Sequence, residues 1–461
     1  MATELLSTFP NDRVLTPKDG AAYESALGRW SGTSVRRAQY ILFPTTAEEV
    51  SKAVCFAVRS GLELAVKGGG HSCSGASASE GVIIDLARLN EVKIDAPARI
   101  ARVGGGALWK DVDSASAASG LATVGGTVND TGELGVGGLT VGGGFGFLCP
   151  KYGLVIDNLL EAQVVLANGD VVTCNGGKHA DLFWGIRGGG SNFGIVAQFT
   201  FRLYPQLSTV WSGLLIFTPD KLSELFRGLE TWYNSAGEDE GVNVFFGCTP
   251  PAFMPALVVL PFFNGPAEEG RAKFKAVLDV GPVADMTSEM PYPAANTIQQ
   301  APMTTHGDRK LFKATSFAAF DAATFQHLFD EYSGLVEKYP DTRGSAVIME
   351  LYPADKIVSV PSTATAFPSR MRRCNINFVP RWKDVALDKV MYDWATAQVD
   401  YMRKAENVPT RHAVRRYPNY GFGDERARDV FGENYERMAR VKAVYDPTSV
   451  FHKWYPVTPT S

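Results

Sequence analysis

The chain has 461 residues, 45% hydrophobic and 20% charged, the make-up of a folded protein with two or three cores and not of a disordered polymer or a charge-stabilised filament. Its 45 Lys and Arg nearly cancel its 49 Asp and Glu, leaving a net charge of −4. No strong field is therefore available to hold a phosphate backbone or an anionic bilayer, and neither nucleic acid nor membrane is expected as a partner.

Met1 to Arg13 carries Glu4, Pro10 and Asp12 with no basic start and no sustained apolar stretch, so it does not read as a secretory signal, and a cytoplasmic location is expected. The longest apolar run, Ala256 to Phe263, is broken by Pro261 and falls far short of the roughly 20 residues of a spanning helix. Tyr40 to Lys67 reads as strand, helix, strand, with Thr46 and Glu49 forming a capping box. Short strands follow at Val82 to Leu86, Val92 to Asp95 and Ile100 to Val103, then a helix from about Leu108 to Ser119. Glu161 to Leu166 and Val171 to Cys174 form a hairpin in which Asn168 and Gly169 are expected to supply positive φ angles. Phe193 to Leu203 is a last apolar strand before Pro205.

Beyond Pro205 the texture changes. Helical stripes run over Leu222 to Asn234, Phe325 to Tyr339 and Val385 to Ala405, among strands at Val242 to Gly247, Ala256 to Phe262, Ser345 to Leu351 and Asn375 to Trp382. That pattern is an antiparallel sheet with helices over one face. The chain is therefore α+β.

Glycine marks the chemistry. Most of the 46 precede residue 205, in clusters at Gly68 to Gly70, Gly104 to Gly106, Gly125 and Gly126, Gly135 to Gly146, and Gly188 to Gly190. Such runs let backbone N–H groups approach a bulky anionic ligand. None is a G-x-G-x-x-G: Cys73 and Phe147 stand where the last glycine belongs. Gly177-Lys178 lacks the partner glycine and the Ser or Thr of a Walker loop. The six cysteines form no C-x-x-C and read as reduced thiols, and the six histidines show no metal-ligand spacing, so no metal is expected.

Five ordered segments carry a resemblance: Val66-Lys67-Gly68-Gly69-Gly70-His71-Ser72; Gly137-Gly138-Leu139-Thr140-Val141-Gly142-Gly143-Gly144-Phe145-Gly146; Lys151-Tyr152-Gly153-Leu154 with Asp157-Asn158; Asp181-Leu182-Phe183-Trp184 to Ile195-Val196; and Tyr417-Pro418-Asn419-Tyr420 to Asp446-Pro447. Together they resemble the vanillyl-alcohol-oxidase type of FAD-binding protein (PCMH-type), and within it the berberine-bridge-enzyme-like group. The resemblance implies a two-part FAD-binding domain, 1–205 plus the C-terminal segment 410–461, with 206–409 as the substrate domain. It implies FAD bonded covalently through His71, a neutral nucleophile that would fix the ring against the substrate. Cofactor contacts are expected from Lys67, Gly68, Gly69, Gly70, His71, Ser72, Gly137, Gly138, Gly142, Gly143, Gly144, Tyr152, Asp157, Ile195 and Val196.

The departures are specific. Relatives often carry a second, cysteine tether where this chain has Thr131 followed by Gly132, so one covalent bond is expected, with Cys73 and Cys149 as core or loop thiols. Leu139 replaces a histidine of the doubly tethered members, and Trp454 an asparagine. Leu134 occupies a place where side-chain size is linked to oxygen access; gating and plain loop packing are both open readings.

Oxidation of a C–H beside O–H or N–H needs a hydride acceptor and often a base. Glu350 is the acidic candidate, with an exposed strand glutamate as the equal alternative; Tyr417 is the second and Tyr352 a weaker third. Arg415 and Arg416 could hold an anionic substrate or be a solvated basic pair. The expectation is a FAD-linked oxidase or dehydrogenase, a monomer or homodimer, acting on a small alcohol or amine of specialised metabolism with molecular oxygen as re-oxidant. The competing readings are a flavin-holding cyclase performing ring closure and a binding protein that keeps FAD only as a folding element.

Overall fold

A computed structural model describes residues 9–129, 135–250, 253–300, 307–408 and 417–460. Near the N-terminus a four-stranded sheet has the order Val14–Leu15, Tyr40–Leu42, Val82–Asp85, Leu64–Lys67, with the last three strands parallel. The crossover between Tyr40–Leu42 and Leu64–Lys67 is the helix Ala47–Arg59, which buries Val50, Ala53, Val54 and Ala57. Only half of its expected capping box forms. Thr46 Oγ1 accepts from Glu49 N at 3.2 Å, but the Glu49 carboxylate reaches one residue further back, to Thr45 N at 2.7 Å, where Arg13 also holds it. The nearby guanidinium draws the carboxylate away from the Thr46 backbone.

A second, antiparallel sheet has the order Val92–Asp95, Ile100–Gly104, Ile195–Arg202, Leu159–Val165, Val171–Asn175. Its last hairpin corrects one expectation: Gly169 has φ +89° but Asn168 does not have a positive φ. The strands end at Val165 and resume at Val171. Gly169 N donates to Leu166 O, and Asn168 Oδ1 accepts from Asp170 N at 3.0 Å, so a single left-handed residue closes the turn.

The large sheet of the second half has a path of seven antiparallel strands, Ala284–Asp285, Leu215–Phe217, Met254–Phe263, Glu240–Thr249, Ala346–Leu351, Cys374–Val379 and Lys313–Phe317. Alternation divides its faces. Val242, Val244, Phe246, Val347, Met349, Leu351, Ile376 and Phe378 point to one side and share a core with Leu225, Phe226, Phe325, Leu328, Met391 and Val399 of the helices Leu222–Tyr233, Ala322–Lys338 and Asp388–Ala405. Each such side chain contributes about 1.5–3 kcal/mol when fully buried, so this face is fixed as the inner one. The other face carries the cross-strand rows Asn243, Glu350, Asn375 and Phe245, Ile348, Asn377. This is the α+β architecture expected.

The chain end returns to the first half. Helix Tyr435–Tyr445 packs on helix Ala180–Ile186, and Phe451 enters the core of Leu42, Val50 and Ile84. Lys442 is fully buried, and its Nζ donates to Asp446 Oδ2, Asn192 O and Phe451 O, each at 2.6 Å. Among the described residues no helix is long and apolar enough to cross a membrane.

Candidate active site

One cleft runs between the two halves, lined by loops of the first half, the polar face of the large sheet and the C-terminal segment. Its first wall is the loop after strand Leu64–Lys67. Gly68, Gly69, Gly70, His71 and Ser72 all line it, and Gly70 (φ +79°) turns the chain so that the His71 ring stacks on Trp30, with centroids 4.3 Å apart and planes 20° apart. Phe312 lies 5.8 Å from the same imidazole and 5.7 Å from Tyr420. Gly137, Gly138, Leu139 and Val141 of the helix Val136–Val141, then Gly190, Ser191, Gly194, Ile195 and Val196, and finally Trp454, complete the side opposite the sheet.

The glycines test whether a bulky cofactor fits. A Cβ on Gly138 would meet no protein atom within 4 Å, one on Gly68 only Gly105 O at 3.8 Å, and one on Gly126 only Leu139 and Trp109 side chains at 3.6–3.9 Å, although all three face the cleft. These positions are bare toward a space that the protein itself does not fill. A second set is bare because loop meets loop: a Cβ on Gly135 would strike Gly69 N at 2.5 Å, and one on Gly137 Gly105 O at 2.9 Å. The cleft wall thus has the backbone-lined form that a dinucleotide requires.

Several expected contacts lie elsewhere. Lys67 turns from the cleft to pair with Asp85 at 2.9 Å. Gly142, Gly143 and Gly144 are outside the lining; their missing side chains make room for Asn419, Phe367 and Val155. Tyr152 stacks on Tyr204 with centroids 3.8 Å apart. Asp157 accepts from Leu154 N at 2.9 Å and from both terminal nitrogens of buried Arg370, at 2.9 and 2.7 Å. All six hold the protein to itself. Thr131, Gly132, Leu134, Arg415 and Arg416 lie outside the described residues.

On the sheet side, burial of the opposite face against three helices turns Glu350 into the cleft. The carboxyl group is 5% exposed at residue level and accepts from Tyr420 Oη at 2.7 Å and from Asn375 Nδ2 at 3.1 Å. Burial raises its pKa above the ordinary carboxylate value, and the two donors hold it back only in part. Tyr417 also lines the cleft; its Oη accepts from Asn419 Nδ2 at 3.0 Å, and its ring meets Phe145 edge-on at 4.9 Å. Burial pushes both phenols up, Tyr417 and Tyr420 alike, so each keeps its proton at neutral pH. Tyr352 stands outside this cleft: its Oη donates to Asn243 Oδ1 at 3.2 Å, and it lines a small neighbouring hollow behind Glu350.

The two cysteines nearest the loops are thiols. Cys73 Sγ accepts from Phe312 N at 3.2 Å, and burial raises its pKa to about 12. Cys149 Sγ accepts from Gly146 N at 3.2 Å and is likewise raised by burial. Neither is a nucleophile in this setting.

Sequence reasoning missed Tyr420, Trp30, Phe312, Asn377 and Gln299 as site residues. Only Tyr420 left a signal, three residues after Tyr417 in a segment already singled out. The rest arrive from strands and loops distant in sequence.

The FAD binding domain family matches residues 38–175, and the berberine and berberine-like family matches 416–455, so the His71 loop and the Tyr417–Trp454 segment each fall within one match. The FAD-linked oxidoreductase pgmH of Aspergillus terreus is 34% identical over 95% of this chain and 91% of its own length. The chain belongs to the berberine-bridge-like FAD-linked oxidoreductases. Among solved structures, 6-hydroxy-D-nicotine oxidase from Arthrobacter nicotinovorans superposes on this oxidoreductase with a TM-score of 0.86 at 25% identity, covering 97% of this chain and 98% of that one. The BBE-like 1 protein of Physcomitrella patens shares the fold with a TM-score of 0.84 at 23% identity, covering 97% of each chain. The FAD-linked oxidoreductase is thus an enzyme whose flavin module and C-terminal segment both contribute to the cleft.

Proposed function

We propose that this oxidoreductase oxidises a small alcohol or amine, with FAD held by one covalent bond through His71 and with Glu350 as the base. The observation that carries the reading is the placement of a buried carboxyl, Glu350, in the same cleft as His71, with its lone pairs partly engaged by Tyr420 and Asn375. When bound, FAD would supply the hydride acceptor and pass the electrons to molecular oxygen. The residues 1–205 and 410–461 would hold it, through the glycine walls and Trp454, and 206–409 would present the substrate.

The protein's part is proton handling and orientation. Glu350 takes the proton from the substrate O–H or N–H at its carboxylate, and its raised pKa makes it a better acceptor than a solvated carboxylate. Tyr420 keeps the carboxyl oriented by donating to Oε1. Tyr417, protonated and tied to Asn419, is a donor to the substrate heteroatom and not the base. Phe145, Phe312 and Ile348 exclude water around these groups.

Anaerobic mixing with a panel of alcohols and amines, read by bleaching of the oxidised flavin, tests the reading. Glu350→Gln is expected to slow bleaching by the substrate about 10²–10⁴-fold with an unchanged oxidised spectrum. Bleaching at the wild-type rate in Glu350→Gln would remove Glu350 from the role. Ring closure without any bleaching would replace oxidation by the cyclase reading.

A further inference from the structure

We infer that the small hollow behind Glu350 is the proton exit of the active site, holding a water that carries the proton from Glu350 to Ser316 and so to solvent. The inference rests on the reading of Glu350 as the base. A base that has taken a substrate proton must lose it before the next turnover. Glu350 is 5% exposed, and an occupied cleft closes it on the substrate side. Its other side is the hollow: among the described residues, only Glu350 and Phe145 line both spaces.

The sheet register lays out the route. Glu350 pairs with Asn375, and Asn375 with Ser316, so the three form one cross-strand row on one face, from an inner strand to the edge strand Lys313–Phe317. All three line the hollow. At the usual strand spacing the row is roughly 10 Å long, too far for a carboxyl to reach a hydroxyl directly. The hollow has a volume of about 20 Å³, enough for one water, which requires about 10–15 Å³ and several polar partners. Asn375 Nδ2 donates to Glu350 Oε2 at 3.1 Å and holds the carboxyl in place. Ser316 is 6% exposed; its Oγ accepts from Arg373 Nε at 2.9 Å, and among the described residues its own proton is donated to none. Such a hydroxyl has a second lone pair for the hollow's water and a proton to pass outward. Arg373 also donates to Glu406 Oε2 at 2.7 Å, so the cation at the mouth is matched by a carboxylate and does not repel an arriving proton. Ser369, Met371 and Arg373 of the hollow's wall are half-buried, which brings this side to solvent.

The proton count closes. The substrate O–H or N–H proton goes to Glu350 as the neighbouring C–H leaves as hydride, with its electron pair, to FAD. Glu350 gives that proton to the water, the water gives one to Ser316 Oγ, and Ser316 gives one to bulk water. Each relay oxygen gains and loses one proton, and no electron moves along the row.

Two measurements on the flavin-loaded enzyme test the route. A crystal structure is expected to show an ordered water in the hollow within hydrogen-bond distance of Glu350 and Ser316; a hollow without water overturns the inference whatever the substrate. The second is a single anaerobic turnover in weak buffer, with bleaching read from flavin absorbance and proton release from an indicator dye. The probe is whichever of ethanol, cyclohexanol, benzyl alcohol and benzylamine bleaches the flavin fastest. Release keeps pace with bleaching in the wild type. Ser316→Ala, which breaks the relay, and Ser369→Leu, which fills the hollow, are expected to make release lag bleaching about 10-fold or more. Ser316→Thr, which keeps the hydroxyl, is expected to restore the match. Release that keeps pace in both Ser316→Ala and Ser369→Leu overturns the exit and leaves Glu350 as the base. Bleaching at the wild-type rate in Glu350→Gln, or bleaching by no probe, instead sinks the base reading and the exit with it.

Discussion

Tyr420 donates its phenolic proton to Glu350 Oε1 at 2.7 Å, joining a residue of the C-terminal segment to an inner strand of the large sheet across the cleft. The bond favours the carboxylate, against a burial that favours the neutral acid. Deleting the donor therefore raises the Glu350 pKa further. In Tyr420→Phe the acid limb of the flavin-reduction rate should move to higher pH, measured by anaerobic stopped-flow between pH 5 and pH 9. An unmoved limb would show that another group titrates.

The flavin tether should be single. Acid precipitation of the purified enzyme is expected to keep the yellow colour with the protein, and His71→Ala to release FAD. Peptide mass spectrometry should find flavin on the His71 fragment alone, and Cys73→Ser and Cys149→Ser should retain it fully, since both thiols are buried and protonated. A flavin-bearing cysteine peptide would overturn the assignment.

Asp113 is a buried carboxyl that accepts from Asn129 Nδ2 at 2.9 Å and Asn296 Nδ2 at 3.0 Å, tying the segment before Asn129 to the Tyr292–Ala295 helix and its continuation. Burial raises its pKa from 3.8 to about 6. The folded state then keeps a proton that the unfolded chain has lost, so this group's contribution to stability is full below about pH 4 and declines as pH rises through about 6. Asp113→Asn keeps an acceptor oxygen without the charge. Urea unfolding at pH 4 and pH 8 should show the variant gaining roughly 1–3 kcal/mol on the wild type over that interval. A constant difference between the two proteins would contradict the burial argument.

Lys442 and Asp446 form a fully buried ion pair that also binds the carbonyls of Asn192 and Phe451. Lys442→Met removes the cation beside buried Asp446 and leaves its carboxyl only the backbone donors Val450 N and Phe451 N, each at 2.8 Å. The expected loss is about 3–5 kcal/mol of unfolding free energy, and because Asn192 Nδ2 in turn holds Trp454 O at 3.1 Å, faster release of non-covalent FAD is expected in the His71→Ala background. Unfolding at the wild-type denaturant midpoint would show that the pair contributes nothing.

Local pattern determined much of this protein. The helix and strand order, the antiparallel second half and the histidine after a triple glycine were all legible, because caps, alternation and glycine runs act within a few residues. Alternation alone left Glu350 facing either way; three helices packed on Val347 and Met349 turned it inward. Composition marked Gly142 to Gly144 as ligand contacts, but only the folded chain brings Asn419, Phe367 and Val155 against them. Asp157 likewise met Arg370, 213 residues away. The choice of Tyr420 over Tyr417 as the partner of Glu350 was also tertiary, since it depends on how the C-terminal segment crosses the sheet. Such contacts join residues with no proximity in sequence, and no local propensity records them.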